Sequence, residues 1–187
     1  MMIDMIMMYQ KEKHDFNFRY IGDFNVLKFK KGLEQITDYD WQEYDFRQRE
    51  FPVHRKTETI PLLYDESFSD YPQKWKHFSK FENAISDLSI FLSEFYNKGK
   101  IVRCILTKLK KNSVIPQHVD SGESLMTCYR HHIAVITNEL VYFRIGNEKK
   151  HLSENQVWEI NNSRIHSVEN NSDIDRIHII VDWNTSY

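Results

Sequence analysis

A chain of 187 residues that is 41% hydrophobic and 14% aromatic, with five Gly and four Pro, is long enough to bury one sizeable core and excludes a collagen-like or wholly disordered polymer. Lys plus Arg (25) nearly balance Asp plus Glu (27), so the basic excess that phosphate-backbone binding leaves in a composition is missing and no nucleic-acid partner is expected. Two cysteines, Cys104 and Cys128, provide neither a disulfide framework nor a thiolate metal site, which points to a reducing, cytoplasmic setting.

The opening MMIDMIMMYQ is apolar, but it is short, carries Asp4 and lacks a basic start and a small-residue cleavage site, so it does not read as a signal peptide. No run approaches the roughly 18 apolar residues that span a bilayer, and no membrane partner is expected. The first half is irregular and aromatic, with strand-like pieces at residues 24–29 and 54–64, where Pro61 argues for an edge position. Over residues 71–98 the period changes, with Trp75, Phe78, Phe81, Ile85, Leu88, Phe91, Leu92 and Phe95 recurring every three or four positions. That spacing predicts an amphipathic helix with an apolar stripe facing the core, closed by Gly99 as its left-handed cap. Beyond Gly99 the period becomes two. Residues 101–109, 130–137, 140–145, 156–160, 163–168 and 176–183 are β-branched or aromatic runs separated by Gly, Asn, Asp and Ser. We therefore expect a single domain over residues 1–187, mainly β with flanking helices. Residues 1–100 would supply strands and the long helix that packs outside, and residues 101–183 a compact sandwich or small barrel.

Between these strands His118, Val119 and Asp120 follow Pro116, where the strand pattern stops. In extended backbone a spacing of two points both side chains to one face, so an imidazole nitrogen and a carboxylate oxygen converge on one ion. His166, in a later strand, completes the set if the sheet folds back on itself. Two His and one carboxylate on one face of an octahedron leave three positions open, as in non-haem Fe(II) oxygenases. Strand alternation also puts Arg130 and His132 on one face of their strand, and Arg176 and His178 on one face of the last. An inward guanidinium needs an anion, either a dicarboxylate ligand or a nearby Asp or Glu. His54 and Arg55 could reach the substrate mouth, but an exposed strand-end His and Arg more often read as solvated surface, as do His14, His77, His151 and His178, with His178 the most inward of them.

The ordered blocks ILTKLKKNSVIPQHVD, YRHHIAVITNELVYFRIG, HLSENQVWEINNSRIHSVEN and DRIHIIVDW resemble the aspartyl/asparaginyl β-hydroxylase family over about residues 101–183. HRKTETIPLLY, from His54 to Tyr64, resembles a further block that precedes the helix in some members. The resemblance implies a double-stranded β-helix (jelly-roll, cupin-like) and an Fe(II)- and 2-oxoglutarate-dependent dioxygenase that consumes dioxygen. It makes His118 and His166 metal ligands and Arg176 the holder of the far carboxylate of 2-oxoglutarate, helped by the hydroxyl of Thr107. Arg130 and His132 would face the cosubstrate. Vertebrate aspartyl hydroxylases of the family have Gly where this chain has Asp120. A carboxylate there resembles the bacterial proline hydroxylase branch and implies a full His118, Asp120, His166 triad, while it weakens any transfer of the aspartyl substrate.

The implied substrate is an aspartyl or asparaginyl residue or a small amino-acid-like molecule, with residues 121–129 as a mobile cover over the site. The alternative is a cupin-like protein that binds a metal or small ligand without oxygenase chemistry, and the two inward arginines argue against it.

Overall fold

The computed structural model describes residues 15–67, 69–120, 125 and 127–187. The opening segment with His14, and residues 121–124 and 126 of the cover expected at 121–129, lie outside the described residues.

The chain runs β1 (Phe18–Asp23), α1 (Leu27–Leu33), α2 (Asp38–Glu43), α3 (Phe46–Glu50), a 3-10 turn (Pro52–His54), β2 (Thr57–Tyr64), β3 (Gln73–Lys74) and α4 (Phe78–Tyr96). It continues through β4 (Lys100–Leu109), β5 (Ser113–His118), β6 (Tyr129–Ile136), β7 (Val141–Ile145), β8 (Glu148–Lys150), β9 (Gln156–Ile160), β10 (His166–Asn170) and β11 (Arg176–Asn184). A seven-stranded sheet in the order β1-β9-β6-β11-β4-β2-β3 faces a four-stranded sheet in the order β5-β10-β7-β8. This is the expected jelly-roll, although β1, β2 and β3 of the first half are hydrogen-bonded into the larger sheet as well as packing on it.

Period-two alternation makes the larger sheet two-faced. Along β11, Ile177, Ile179, Val181 and Trp183 join the core formed with Phe81, Leu88 and Leu92 of α4. Leu88 and Leu92 are 0% exposed, and burying each such side chain contributes roughly 1.5–3 kcal/mol. The opposite face of β11 carries Arg176, His178, Ile180 and Asp182, turned toward the smaller sheet. A second apolar cluster, with Ile115, Phe143, Ile160 and Val168, seals the space between the sheets.

Several expectations need correction. Residues 24–29 do not form a strand, because α1 begins at Leu27. Phe29 and Gly32, three apart, are its buried residues, and Gly32 lies so close to Phe81 that an added Cβ would be 2.4 Å from the ring. Helix packing thus overrides the strand propensity of Phe24 and Val26. The long helix begins at Phe78, and residues 73–74 are strand. Trp75 keeps the helical spacing by chance, its indole N–H donating to the carbonyl of Tyr64 at 2.9 Å. Asn97, at φ 63°, provides the left-handed cap in place of Gly99. The stretch around Pro116 is strand β5, at the edge of the smaller sheet, where proline is tolerated. Pro61 lies in β2 opposite Ile105 of β4, while β3 reaches only Leu63 and Tyr64. Proline therefore occupies a stretch of β2 that β3 does not pair.

Gly99 has a different duty. Its φ is +121°, and a Cβ there would be 2.4 Å from Trp183 Nε1 and 2.6 Å from the backbone oxygen of Asn184. The indole it crowds donates to the carbonyl of Lys98 at 3.0 Å. Gly99→Ala should cost about 2 kcal/mol or more in urea unfolding, since backbone strain and a steric clash act together. A loss under about 0.5 kcal/mol would show that the turn is not fixed by that contact.

Candidate active site

Antiparallel pairing of β5 with β10 sets His118 directly across from His166, with ring centroids 4.2 Å apart. Asp120, just past the end of β5, is held by its N–H donating to the carbonyl of Asn162 at 3.2 Å. Its Oδ1 lies 3.7 Å from His118 Nε2 and 3.9 Å from His166 Nε2. One ligand atom from each of the three residues therefore falls within 4.8 Å of the others.

Backbone carbonyls fix the chemistry of this triad. His118 Nδ1 sits 2.8 Å from the carbonyl of Pro116, and His166 Nδ1 2.9 Å from that of Arg164. A carbonyl accepts only, so each Nδ1 carries the proton and each Nε2 presents a lone pair toward Asp120. Burial also lowers the pKa of His166, which favours the neutral ligand form. For Asp120, burial raises the pKa, but Arg130 together with His166 and His118 outweighs it and holds the carboxyl well below the usual range. The donor set of two imidazole nitrogens and one carboxylate suits a divalent transition metal.

Arg130 is ion-paired. Its Nε and Nη2 donate to the two oxygens of Asp182 at 2.8 Å each, and its Nη1 donates to Asp120 Oδ2. Asp182 also accepts from Arg103 Nη1 at 2.8 Å. Arg130 thus keeps Asp120 ionised and directs Oδ1 toward the histidines. The nearby-carboxylate reading of an inward arginine describes this residue.

Arg176 is different. It is 1% exposed, and its Nε and Nη2 have no hydrogen-bond partner among the described residues. Burial alone pushes its pKa down to about 9. It lines a small chamber of 30 Å³ together with Thr107, His132, His118, Asp120 and His166. Thr107, opposite His178 in the β4–β11 pairing, donates to the His178 carbonyl at 3.4 Å. His132 and His178 are buried, and burial, reinforced by the Arg176 charge, drives both well below the ordinary histidine pKa.

A larger chamber of 230 Å³ shares His118, Asp120 and Arg130 with the first and is walled by Arg47, His54 and Tyr64 among others. His54 belongs to this wall and is not the solvated side chain expected from sequence, whereas Arg55 is exposed. His77 and His178 are buried, and His151 is half-buried with its Nδ1 donating to the Val141 carbonyl at 3.0 Å. Leu125, in the expected cover, is buried and lines the larger chamber. Thr127 is exposed, Cys128 is buried and Tyr129 opens β6, while residues 121–124 and 126 of the expected cover lie outside the described residues. Cys104 and Cys128 are both buried and form no disulfide. A second cluster of Asp40, Glu43 and His77 has metal-like spacing, but the Lys76 ammonium already holds both carboxylates, at 3.4 and 2.6 Å.

The family model described as "Aspartyl/Asparaginyl beta-hydroxylase" matches residues 22–185. The chain belongs to this family. The match reaches far upstream of residues 101–183, taking in α1 to α4. The hydroxylase is also similar in fold to an oxidoreductase of the 2OG-Fe(II) oxygenase family from Burkholderia pseudomallei, at 14% identity and TM-score 0.61, covering 96% of this chain and 90% of that one. A prolyl hydroxylase from Trichoplax adhaerens, in complex with a hypoxia inducible factor peptide fragment, gives 11% identity and TM-score 0.56 over 97% and 90% of the two chains. A viral collagen prolyl hydroxylase from Paramecium Bursaria Chlorella virus-1, in a 2OG complex, gives 7% and 0.55 over 92% and 98%. No curated protein matches by sequence. No helix among the described residues is long and apolar enough to cross a membrane.

Arg47, Arg103 and Asp182 were not singled out from sequence. Asp182 had a legible signal, since it lies on the same face of β11 as Arg176. Arg47 had none, because α3 is a five-residue helix in the irregular half.

Proposed function

We propose that the protein is an Fe(II)- and 2-oxoglutarate-dependent dioxygenase that hydroxylates an aspartyl or asparaginyl residue or a small amino-acid-like substrate. The observation that carries this reading is Arg176, a buried guanidinium without a counter-ion, in the same chamber as the His118, Asp120, His166 donor set. Burying an unpaired charge is costly, and a dicarboxylate with one end at the metal and the other at Arg176 offsets that cost. A cupin-like barrel that bound a metal alone would leave Arg176 without a partner.

His118 and His166 would hold the metal through Nε2 and Asp120 through Oδ1, leaving the remaining positions to cosubstrate and oxygen. When bound, this group supplies the oxidising power that converts a C–H bond to C–OH while 2-oxoglutarate leaves as succinate and carbon dioxide. Arg176 would grip the distal carboxylate by its planar fork, with the Thr107 hydroxyl beside it. His132, held neutral, would bring no charge to compete with that contact. Ile115, Phe143, Val168 and Ile180 exclude water from the chamber, which strengthens each electrostatic contact inside it.

The test is turnover. Purified protein given Fe(II), 2-oxoglutarate and dioxygen should form succinate, and omission of any one should stop it. His118→Ala and His166→Ala should each lose iron and succinate formation while remaining folded, as read by metal analysis and circular dichroism. Asp120→Ala should lose iron as well, and full iron occupancy in that variant would reduce the triad to a two-histidine site.

A further inference from the structure

Three guanidiniums, those of Arg47, Arg103 and Arg130, line the larger chamber. Two carboxylates answer two of them, since Asp182 pairs with Arg103 and Arg130, and Asp120 pairs with Arg130. Arg47 is left over. Its hydrogen bonds run to neutral groups, from Nη1 to Thr59 Oγ1 at 3.2 Å and from Nη2 to His54 Nε2 at 3.1 Å. A guanidinium carries five N–H donors, so it keeps others to offer.

The contact with His54 also decides that ring's tautomer. Arginine can only donate, so His54 Nε2 must be the acceptor and Nδ1 must bear the hydrogen. That Nδ1 is buried and has no partner. His54 in turn packs edge-on against the ligand His118, with centroids 5.4 Å apart. Beside the candidate donor set, then, the chamber wall presents a cation and an N–H donor, neither of which has an anionic partner among the described residues. A carboxylate accepts from both and neutralises the cation. A primary amide has one accepting oxygen and no charge to offset the guanidinium, and an ammonium would turn N–H groups toward N–H groups.

We infer that Arg47, with His54 fixed beside it, is the binding site for a carboxylate of the primary substrate, so the enzyme takes acidic substrates in preference to their amides. This rests on the dioxygenase reading and narrows it to the acid. Arg47 is the specificity-determining residue and His54 its positioning partner.

The experiment uses the full chain loaded with Fe(II) and 2-oxoglutarate. Succinate formation is measured against L-aspartate, L-glutamate and N-acetyl-L-aspartate α-amide, each beside the matching side-chain amide. At least one acid should stimulate turnover, with half-saturation at least about thirtyfold below that of its amide. Arg47→Met should raise the half-saturating concentration of that acid by at least about thirtyfold, while the anaerobic Fe(II)·2-oxoglutarate absorption band stays unchanged. Arg47→Lys should recover part of the loss. Equal stimulation by acids and amides, stimulation by no acid, or an Arg47→Met variant with unaltered half-saturation would each overturn the inference. If Arg47→Met does not fold, the acid-to-amide preference of the native protein and the Arg47→Lys variant decide it. A native protein with no absorption band fails the dioxygenase reading itself, and the inference falls with it. A band without acid preference fails this inference alone.

Discussion

Arg176→Met should lower 2-oxoglutarate affinity by on the order of a hundredfold or more while leaving the ligand-free protein no less stable. The first half follows from charge-assisted hydrogen bonds worth about 1.5–3 kcal/mol each, two of which a forked contact supplies. The second follows from Arg176 having no carboxylate partner to lose among the described residues, with Nε and Nη2 unbonded. Its pKa is pushed down to about 9 by burial, so the folded state bears a cost for carrying the proton below that pH, and a methionine of similar length removes the cost and fills most of the space. An ordinary buried ion pair behaves in the opposite way, since truncating one partner strands the other and destabilises the fold. Arg176→Lys should keep part of the affinity, because an ammonium retains the charge without the fork. Calorimetric binding of 2-oxoglutarate to the Mn(II)-loaded variants, with urea unfolding of the same proteins, reads both halves. Unaltered affinity, or a loss of several kcal/mol in stability, would make Arg176 a structural residue.

Asp182→Asn should cost about 3–5 kcal/mol, the range for breaking a buried ion pair from one side. Asp182 is 1% exposed and holds both Arg103 and Arg130, so its neutralisation leaves two buried guanidiniums short of charge. For a chain of this size the melting temperature should fall by roughly 10 °C. The pH dependence has a definite sign. Burial raises the Asp182 pKa, but Arg130 and Arg103 overcome it and the net shift is downward. Its stabilisation is therefore complete above the unfolded-state value of about 3.9 and is lost as the pH falls toward the depressed folded one. Asp182→Asn should flatten that part of the acid limb. Because Arg130 also holds Asp120, the variant should bind metal more weakly as well. A melting temperature within about 2 °C of the native value would mean that water reaches the cluster.

The candidate metal site was legible in the sequence because it depends on short-range geometry. His118 and Asp120 are two apart in extended backbone, and His166 starts a strand that pairs beside them. Six of the eight β-strands after Gly99 were legible for the same reason, since alternation is a local signal, and β9 matches its expected bounds, Gln156–Ile160, whereas the edge strands β5 and β8 were not expected. What stayed hidden depends on contacts between distant segments. α1 is set by Gly32 meeting Phe81, β3 by pairing with the end of β2, and the wall of the larger chamber by a short helix that carries Arg47 beside His118 and Asp120, more than seventy positions later in the chain. The alternation rule placed Arg130 and Arg176 on inward faces but said nothing of partners. Asp182, on the same face of β11 as Arg176 and opposite Arg130 in the β6–β11 register, separates their roles. One arginine is neutralised and supports the ligand Asp120, and the other is left open for a ligand.

The account stands most directly on one titration. Fe(II) added without oxygen to the protein in the presence of 2-oxoglutarate should produce the weak visible charge-transfer band of the metal-bound 2-oxo acid, saturating at one iron per chain. The band should be absent when succinate replaces 2-oxoglutarate, and lost in His118→Ala. A native protein that binds iron but gives no band at saturating 2-oxoglutarate would contradict the cosubstrate assignment, and one that binds no iron would contradict the metal site.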